Sequence, residues 1–172
     1  MLDGGVHVVG ALRTLLGPSH PPVSVSAITL QQNEHLKPID HVYSVWSTKT
    51  GIGGSFCLSS GTTLQGRDFY IACEKGRVLV RDGSTVVVHA PDGTIISSQT
   101  FPIIGLGIDP EVQCWADGLL SGNLDPRFDP GEAFIDLYVM EKILQSGCEG
   151  GTKKTLEYLL PTSPGNMVDS TV

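Results

Sequence analysis

Positively charged side chains are scarce in this sequence. Its 172 residues include 11 lysines and arginines against 18 aspartates and glutamates, which gives a net charge of −7. Only Lys153 and Lys154 are adjacent, whereas binding to phosphate groups draws on clustered basic residues. We therefore expect no nucleic-acid partner.

Long apolar runs and paired cysteines are also missing. No run approaches the ~18 apolar residues of a membrane span, and the Met-Leu-Asp start lacks the basic and apolar regions of a secretory signal. The four cysteines, at positions 57, 73, 114 and 148, form no Cys-x-x-Cys pair, which argues against zinc-ribbon and thioredoxin-like sites. We expect buried free thiols, no membrane partner and a reducing, cytoplasmic compartment.

Motifs that bind nucleotides or metals are absent as well. Residues 105–110 place a proline where a dinucleotide fingerprint needs its third glycine, and residues 150–155 lack the Gly-Lys-Ser/Thr of a P-loop. His35 and His41 flank Asp40, but no third ligand stands at a suitable spacing. We expect no metal, and no cofactor bound by this chain alone.

The sequence does contain a helix followed by a long series of strands. Apolar residues at helical spacing predict a helix over residues 4–16, ended by Gly17 and Pro18. From residue 23 the period changes to two, and turns that contain glycine separate the strand-like segments. These segments are residues 23–30, 41–48, 55–59, 69–73, 78–80, 86–90 and 95–101. Short connections between them predict an open, mainly antiparallel sheet.

Two more helices are predicted after the strands. The first has Asp109 as its N-cap and ends at Gly122, and the second has Asp129 as its N-cap with Glu132 in a capping box. Helices grouped after strands are typical of an α+β fold. We expect the N-terminal helix and the two C-terminal helices to pack on one face of the sheet.

The remaining segments bear on domain organisation and partners. Residues 1–160 are predicted to form one domain, residues 156–160 are compatible with an edge strand, and residues 161–172 predict a flexible tail. Segments 68–73 and 86–90 are apolar on both sides, as in strands that are buried on both faces. We therefore expect the second sheet face to contact another copy of the chain, in a homodimer or a larger homo-oligomer.

Asp3 and His7 are the pair of polar residues best placed for acid/base chemistry. They are four residues apart on the predicted first helix, and therefore share one face with Gly10 and Thr14. Gly10 leaves a gap beside the imidazole where a ligand can approach. A neighbouring carboxylate raises the pKa of a histidine and orients its ring, as a general acid/base requires. The alternative interpretation is an N-capping Asp3 and a solvated His7 on a surface helix.

Taken in order, several segments resemble the Gfo/Idh/MocA oxidoreductases, the family of glucose–fructose oxidoreductase and inositol dehydrogenase. The matching segments are Asp3-Gly-Gly-Val-His7, Ala11 to Gly17, Gly66 to Val80 with Glu74-Lys-Gly76, Glu111-Val-x-x-Trp-Ala116, Asp125-Pro126, and Glu132 to Ser146. They cover nearly all of residues 2–160 and correspond to the family's C-terminal domain, without its N-terminal Rossmann domain.

The resemblance implies an open sheet that binds substrate and mediates oligomers, with His7 as the catalytic acid/base and Asp3 as its partner. It implies NAD(P) as cofactor only if a nucleotide-binding domain is supplied elsewhere, because that domain holds the nicotinamide against the substrate. The chain departs from the family at Gly10, where the family commonly has an aspartate. The lysine of the family's Glu-Lys-Pro motif, which belongs to the nucleotide-binding domain, has no counterpart here.

Three functions are therefore open. The chain is the substrate-binding and oligomerisation domain of an NAD(P)-dependent dehydrogenase that acts on a small hydroxylated or carbonyl compound. Alternatively, it is a cofactor-independent isomerase, lyase or cyclase that uses His7, with Asp3, for proton transfer. The third possibility is a non-catalytic binding or assembly protein. The resemblance favours the first function.

Overall fold

A computed structural model of the chain describes residues 2–63, 66–103 and 107–157, except for the side chains of residues 2 and 3. The chain divides into two compact units. The first unit comprises Met1–Gly61 and Asp129–Val172, and the second unit comprises Thr62–Phe128. The single domain over residues 1–160 stays a prediction, and the predicted tail at 161–172 lies outside the described residues.

Three helices and eight strands make up the described part of the chain. In chain order they are α1 (Leu2–Leu16), β1 (Pro22–Leu30), β2 (His41–Thr48), β3 (Gly53–Ser59), β4 (Phe69–Cys73), β5 (Gly76–Arg81), β6 (Thr85–His89), β7 (Ile95–Thr100), α2 (Ile108–Ser121), α3 (Pro130–Cys148) and β8 (Lys154–Thr155). The strands form two open four-stranded sheets, in the orders β3-β2-β1-β8 and β4-β5-β6-β7. The predicted α+β fold with open antiparallel strands is confirmed.

Helix α3 and one face of the first sheet enclose the core of the first unit. Helix α3 packs on β1, and α1 packs on α3. The two-residue period of β1 and β2 directs alternate side chains inward, and Trp46 meets Phe56 edge to face with ring centroids 5.6 Å apart. The buried core consists of Val9, Val25, Ala27, Val42, Trp46, Phe56, Val139, Met140, Ile143 and Leu156.

Two glycines allow these close helix contacts. A Cβ atom on Gly147 would lie 2.3 Å from Thr29 Oγ1, and one on Gly5 would lie 2.3 Å from Met140 Cε. Both distances are far below van der Waals contact, so a larger residue would have to displace Thr29 at the first position or the end of the Met140 side chain at the second. Helix α3 therefore approaches β1, and α1 approaches α3, through helix surfaces that carry no side chain.

The edge strand β8 closes the first sheet beside β1. Ser24 pairs with Thr155, and the buried Leu156 donates its backbone N–H to the carbonyl of Val23 at 2.9 Å. The pairing thus begins two residues before the predicted strand at 156–160, and residues 158–160 lie outside the described part of the chain.

The predicted N-cap of α3 is confirmed, although the Glu132 side chain pairs with Arg13 instead of completing a capping box, and the predicted ends of α2 are partly wrong. The Asp129 side chain accepts a hydrogen bond from the N–H of Gly131 at 2.8 Å, as an N-cap should. Helix α2 ends at Gly122 as predicted, but its N-cap is Gly107 and not Asp109. Asp109 lies inside the first turn, where its negative charge still interacts favourably with the helix dipole.

The cysteines are free, as predicted, but the prediction that they are buried is wrong. Cys57, Cys73 and Cys148 are exposed, and Cys114 is partly exposed. Strand alternation explains Cys57, because its neighbour Phe56 faces the core while Cys57 lies opposite the exposed Tyr43 on the outer face of the sheet. Strand segments that look apolar in sequence thus place their thiols towards solvent.

The second unit contains the sheet β4–β7 and helix α2. Gly76, with a φ of 139°, lies so close to β6 that a Cβ would be 2.1 Å from the carbonyl oxygen of His89. Leu79 and His89 are buried on this sheet. Four large apolar side chains of α2 are exposed, namely Val112, Trp115, Leu119 and Leu120. None of the helices in the described ranges has the length and hydropathy to cross a membrane.

Candidate functional site on helix α1

His7 lies on the face of α1 that points away from the core. It is exposed, whereas Val9, which points to the opposite side of the helix, is completely buried. The α1 backbone places Asp3 one turn before His7 on the same face. The side chain of Asp3 lies outside the described part of the chain, so its contact with His7 stays a prediction.

An ion-pair network fixes α1 to α3 beside this face. Arg13 Nη2 bonds Glu132 Oε2 at 2.6 Å, and Arg13 Nη1 bonds Asp136 Oδ1. Only 15% of the Arg13 side chain and 20% of the Asp136 side chain are exposed. Burial alone would lower the pKa of Arg13, but the hydrogen bonds and charges of Asp136 and Glu132 outweigh burial and raise it. The Arg13 guanidinium therefore stays charged where it holds α1 to α3.

The ion pairs of Arg13 also bear on the gap that the sequence predicts beside Gly10. A Cβ atom at this position would lie 2.8 Å from Asp136 Oδ2. The gap predicted as room for a ligand is therefore filled in part by a carboxylate from α3. Local sequence patterns do not identify Arg13 and Asp136 as partners, because 123 residues separate them.

A second polar cluster surrounds Asp40 at the end of the loop between β1 and β2. Asp40 is completely buried, and its Oδ1 accepts hydrogen bonds from Gln32 N at 2.9 Å and from His41 Nδ1 at 2.7 Å. Its Oδ2 accepts from Asn33 N at 2.7 Å and from Asn33 Nδ2 at 2.8 Å. Burial would raise the pKa of Asp40, but these four donors hold it well below its usual range.

This cluster has the geometry of a structural loop closure. His41 is buried and bonded to Asp40, whereas His35 is exposed on the short helical turn Glu34–Leu36. Within the described ranges, no three or more histidine, cysteine, aspartate or glutamate residues group closely enough to hold a metal ion. We therefore assign to Asp40 the role of ordering the loop.

Asp40→Asn is expected to lower the melting temperature near neutral pH and to make stability less sensitive to acid. The pKa of Asp40 is lower in the folded state than its unfolded value of about 3.9. Its contribution to stability is therefore fully present above that value, and is lost as the pH falls below it towards the folded pKa. The difference between the melting temperatures of wild type and variant should thus stay constant from about pH 7 to about pH 5, and become smaller as the pH is lowered further to about pH 2.

Glu34→Gln is the matched control in the same loop. The Glu34 side chain is 92% exposed and pairs with Lys37 at 3.5 Å, so its replacement should change the melting temperature little at any pH. A difference between wild type and Asp40→Asn that stays constant down to about pH 2 would contradict the role of the ionised Asp40 carboxylate.

An apolar groove of about 550 Å³ runs along the exposed side of α3. Phe134, Leu137, Tyr138 and Leu144 supply its apolar surface, and Lys142 Nζ lies 5.0 Å from the centre of the Tyr138 ring. His7 is not among the residues that line it. The groove and the polar face of α1 are therefore separate features of the first unit.

The described residues do not fit a dinucleotide site. Such a site needs a parallel βαβ unit whose glycine-rich turn meets the pyrophosphate at a helix N-terminus. Every strand pairing in the described ranges is antiparallel. A nicotinamide cofactor would thus have to be bound by residues outside this part of the chain.

The known proteins that match this chain are a dehydrogenase and oxidoreductases, and the chain covers less than half of each. No family model matches the chain. The dehydrogenase FPY6 of Fusarium mangiferae is 27% identical over 161 residues, which is 92% of this chain and 46% of that protein. The structure of an oxidoreductase from Thermotoga maritima matches with a TM-score of 0.72 at 23% identity, over 92% of this chain and 44% of the other.

A further match is an oxidoreductase from Agrobacterium radiobacter, solved in complex with NAD⁺, L-tartaric acid and magnesium. Its TM-score is 0.74 at 20% identity, over 91% of this chain and 48% of the other. The chain therefore spans about half the length of the relatives it matches. The matched half is the C-terminal domain of these oxidoreductases, and no described residue of this chain corresponds to their N-terminal Rossmann domain.

Proposed function

We propose that this chain, which has the fold of the C-terminal domain of Gfo/Idh/MocA-type oxidoreductases, is the substrate-binding and oligomerisation domain of an NAD(P)-dependent dehydrogenase. The fold confirms the resemblance predicted from the sequence. The proposed substrate is a small hydroxylated or carbonyl compound. The observation that supports the proposal is the likeness of the fold to these oxidoreductases over about nine tenths of this chain, and the exposed position of His7 on α1 leaves its imidazole accessible to a ligand.

The proposed role of His7 is to move the proton of the reacting hydroxyl group. Oxidation of an alcohol removes that proton, and an imidazole is well suited to accept it near neutral pH. Asp3, one helical turn earlier, would orient the ring. The hydride acceptor would be supplied by a nucleotide-binding half, since the described residues do not fit a dinucleotide.

The proposal includes a homodimer or a larger homo-oligomer formed through a sheet face. The outer face of the first sheet exposes four large apolar side chains, and cross-strand pairing brings Ile28 next to Tyr43. These side chains are Ile28, Leu30, Tyr43 and Val45. Exposed apolar patches of this kind favour protein contacts, and light scattering on the purified chain measures the oligomer. The four free cysteines support the proposed cytoplasmic setting.

Reconstitution tests the proposed activity. The chain would be joined to the half of the FPY6 dehydrogenase that it does not match, and assayed with NAD⁺ and NADP⁺ against polyols, aldoses and hydroxy acids. We expect nicotinamide reduction only when both halves are present, with each half alone as the control. Turnover by the chain alone without nicotinamide would instead support the isomerase, lyase or cyclase alternative. Ligand binding without turnover in any form would support a binding protein.

A further inference from the structure

We propose that the groove on the outer side of α3 is the docking surface for the nucleotide-binding half of the dehydrogenase, and that an amphipathic helix of that half lies along it. The inference rests on the proposed function, because it names the surface through which the required partner is held. It also separates two apolar surfaces of the first unit, since the outer face of the first sheet is proposed to contact another copy of the chain.

Helix α3 carries apolar side chains on two opposite sides. Val139 and Ile143 are completely buried in the core of the first unit. The opposite side carries Phe134, Leu137 and Leu144, which line the groove, and the first two of these are exposed. A helix at the surface of a protein keeps a polar outer side, whereas a helix that is apolar all round is buried. The outer side of α3 therefore has the composition of a covered surface.

The carboxylates that line the groove already have hydrogen-bond partners. Glu141 Oε1 accepts from Gln145 Nε2 at 2.9 Å, and Glu149 Oε2 pairs with Lys154 Nζ at 2.5 Å. Lys142 Nζ donates to Gln145 Oε1 at 3.0 Å. A partner can thus cover the groove while these groups remain hydrogen-bonded. The centre of the groove is apolar and aromatic, as in the buried centre of a protein interface.

The position of α1 indicates which partner reaches this side of α3. In the relatives, the Rossmann domain is N-terminal and therefore precedes the segment that matches α1. The start of α1 contacts the middle of α3, where a Cβ atom on Gly5 would lie 2.3 Å from Met140 Cε. Because α1 and α3 pack side by side, a domain that joins ahead of α1 and holds the nicotinamide over His7 also lies beside the outer side of α3.

A second copy of the chain is the competing occupant. Its proposed contact includes Ile28 and Tyr43 on the outer face of the first sheet, whereas Thr29 faces α3 on the other side of that sheet. A copy bound there is separated from α3 by a whole layer, about 10 Å thick. Residues 134–148 extend for about 21 Å along the axis of α3, which suits a helix, and a Rossmann domain carries helices on both faces of its sheet.

Cys148 reports whether the groove is covered. It is exposed and lines the groove, whereas the exposed Cys73 on β4 is the matched control. Alkylation by iodoacetamide is followed by peptide mass spectrometry, in the full chain alone and in the chain joined to the half of FPY6 that it does not match. Joining should slow the alkylation of Cys148 about 10-fold or more and leave that of Cys73 within about 2-fold, because a covered thiol reacts only when the interface opens.

Leu137→Glu tests the groove by a second route. A carboxylate buried without a partner is costly, so this variant should return the alkylation rate of Cys148 in the joined protein to within about 3-fold of its rate in the chain alone. The melting temperature of the chain alone should stay near that of wild type, because Leu137 is exposed there. Where Leu137→Glu fails to fold, Phe134→Glu takes its place. Leu120→Glu on α2 is the control, since Leu120 is 87% exposed, and should leave Cys148 protected.

Three results would overturn the inference. The first is an equal alkylation rate of Cys148 in the joined protein and in the chain alone. The second is protection of Cys148 in the chain alone that increases with protein concentration, which would assign the groove to a second copy. The third is protection in the joined protein that the groove variants leave intact.

The inference and the proposed function fail in different ways. If the joined protein reduces nicotinamide while Cys148 stays as reactive as in the chain alone, the dehydrogenase function stands and the inference is wrong. If joining protects Cys148 but no nicotinamide is reduced, the inference stands and the proposed function is wrong.

Discussion

Replacing His7 by asparagine is expected to lower the kcat of the reconstituted dehydrogenase by about 10²–10⁴-fold, the usual loss when a general acid/base is removed. Asparagine keeps a polar side chain of similar size but cannot exchange a proton at neutral pH. The melting temperature should stay near that of wild type, because His7 is exposed and lies opposite the buried Val9. Steady-state kinetics with separate kcat and KM values measure the effect.

His35→Asn is the control for this substitution. His35 is also exposed and belongs to the first unit, but lies in the loop between β1 and β2. Its replacement should leave kcat unchanged. A His7→Asn enzyme that loses only affinity, with kcat intact, would show that His7 binds the substrate without moving a proton, and would remove the acid/base role from the proposal.

Ile143→Ala is expected to lower the free energy of unfolding by about 2–5 kcal/mol. Ile143 is completely buried in the core of the first unit, on the side of α3 that faces the sheet. Its truncation removes apolar contacts and leaves a cavity that the strands below cannot close without moving. Because domains of this size are typically stable by only about 5–15 kcal/mol, the loss is large. Urea denaturation followed by circular dichroism measures it.

Leu137→Ala supplies the matched control on the same helix. Leu137 is 49% exposed and lines the apolar groove, so its truncation should change the free energy of unfolding by less than about 1 kcal/mol. Equal losses at the two positions would mean that the outer side of α3 is covered in solution, and the groove would then be an interface between molecules.

Local patterns in the sequence predict the elements of this fold well, because each pattern has a local physical cause. The two-residue period of residues 41–48 corresponds to β2, and the Asp129-Pro130 pair begins α3 through a hydrogen bond to Gly131. Where two nearby residues can both serve as the N-cap, the predicted start of the helix is wrong by a residue or two. Asp109 is an acceptable N-cap, but Gly107 adopts a φ of 90° and the helix starts earlier.

Contacts between distant segments are the part that the sequence could not reveal. The i, i+4 spacing placed Asp3 and His7 on one helix face without further information. The approach of Asp136 to Gly10 depends on how α3 lies against α1, and no periodicity encodes that arrangement. The burial of Asp40 is similar: Asp40 and His41 were visible as neighbours, but four converging donors become evident only when the loop is folded.

The discontinuous make-up of the first unit has a consequence for biosynthesis. Its strands β1–β3 are translated before residues 62–128, whereas α3 and Leu156, which complete the core, are translated after them. Residues 62–128 are synthesised between them and contain a sheet whose strands are all joined to their neighbours along the chain. On the ribosome, this intervening segment can pair its strands before α3 has been made. The apolar face of β1 and β2 therefore stays accessible to chaperones until α3 has been synthesised.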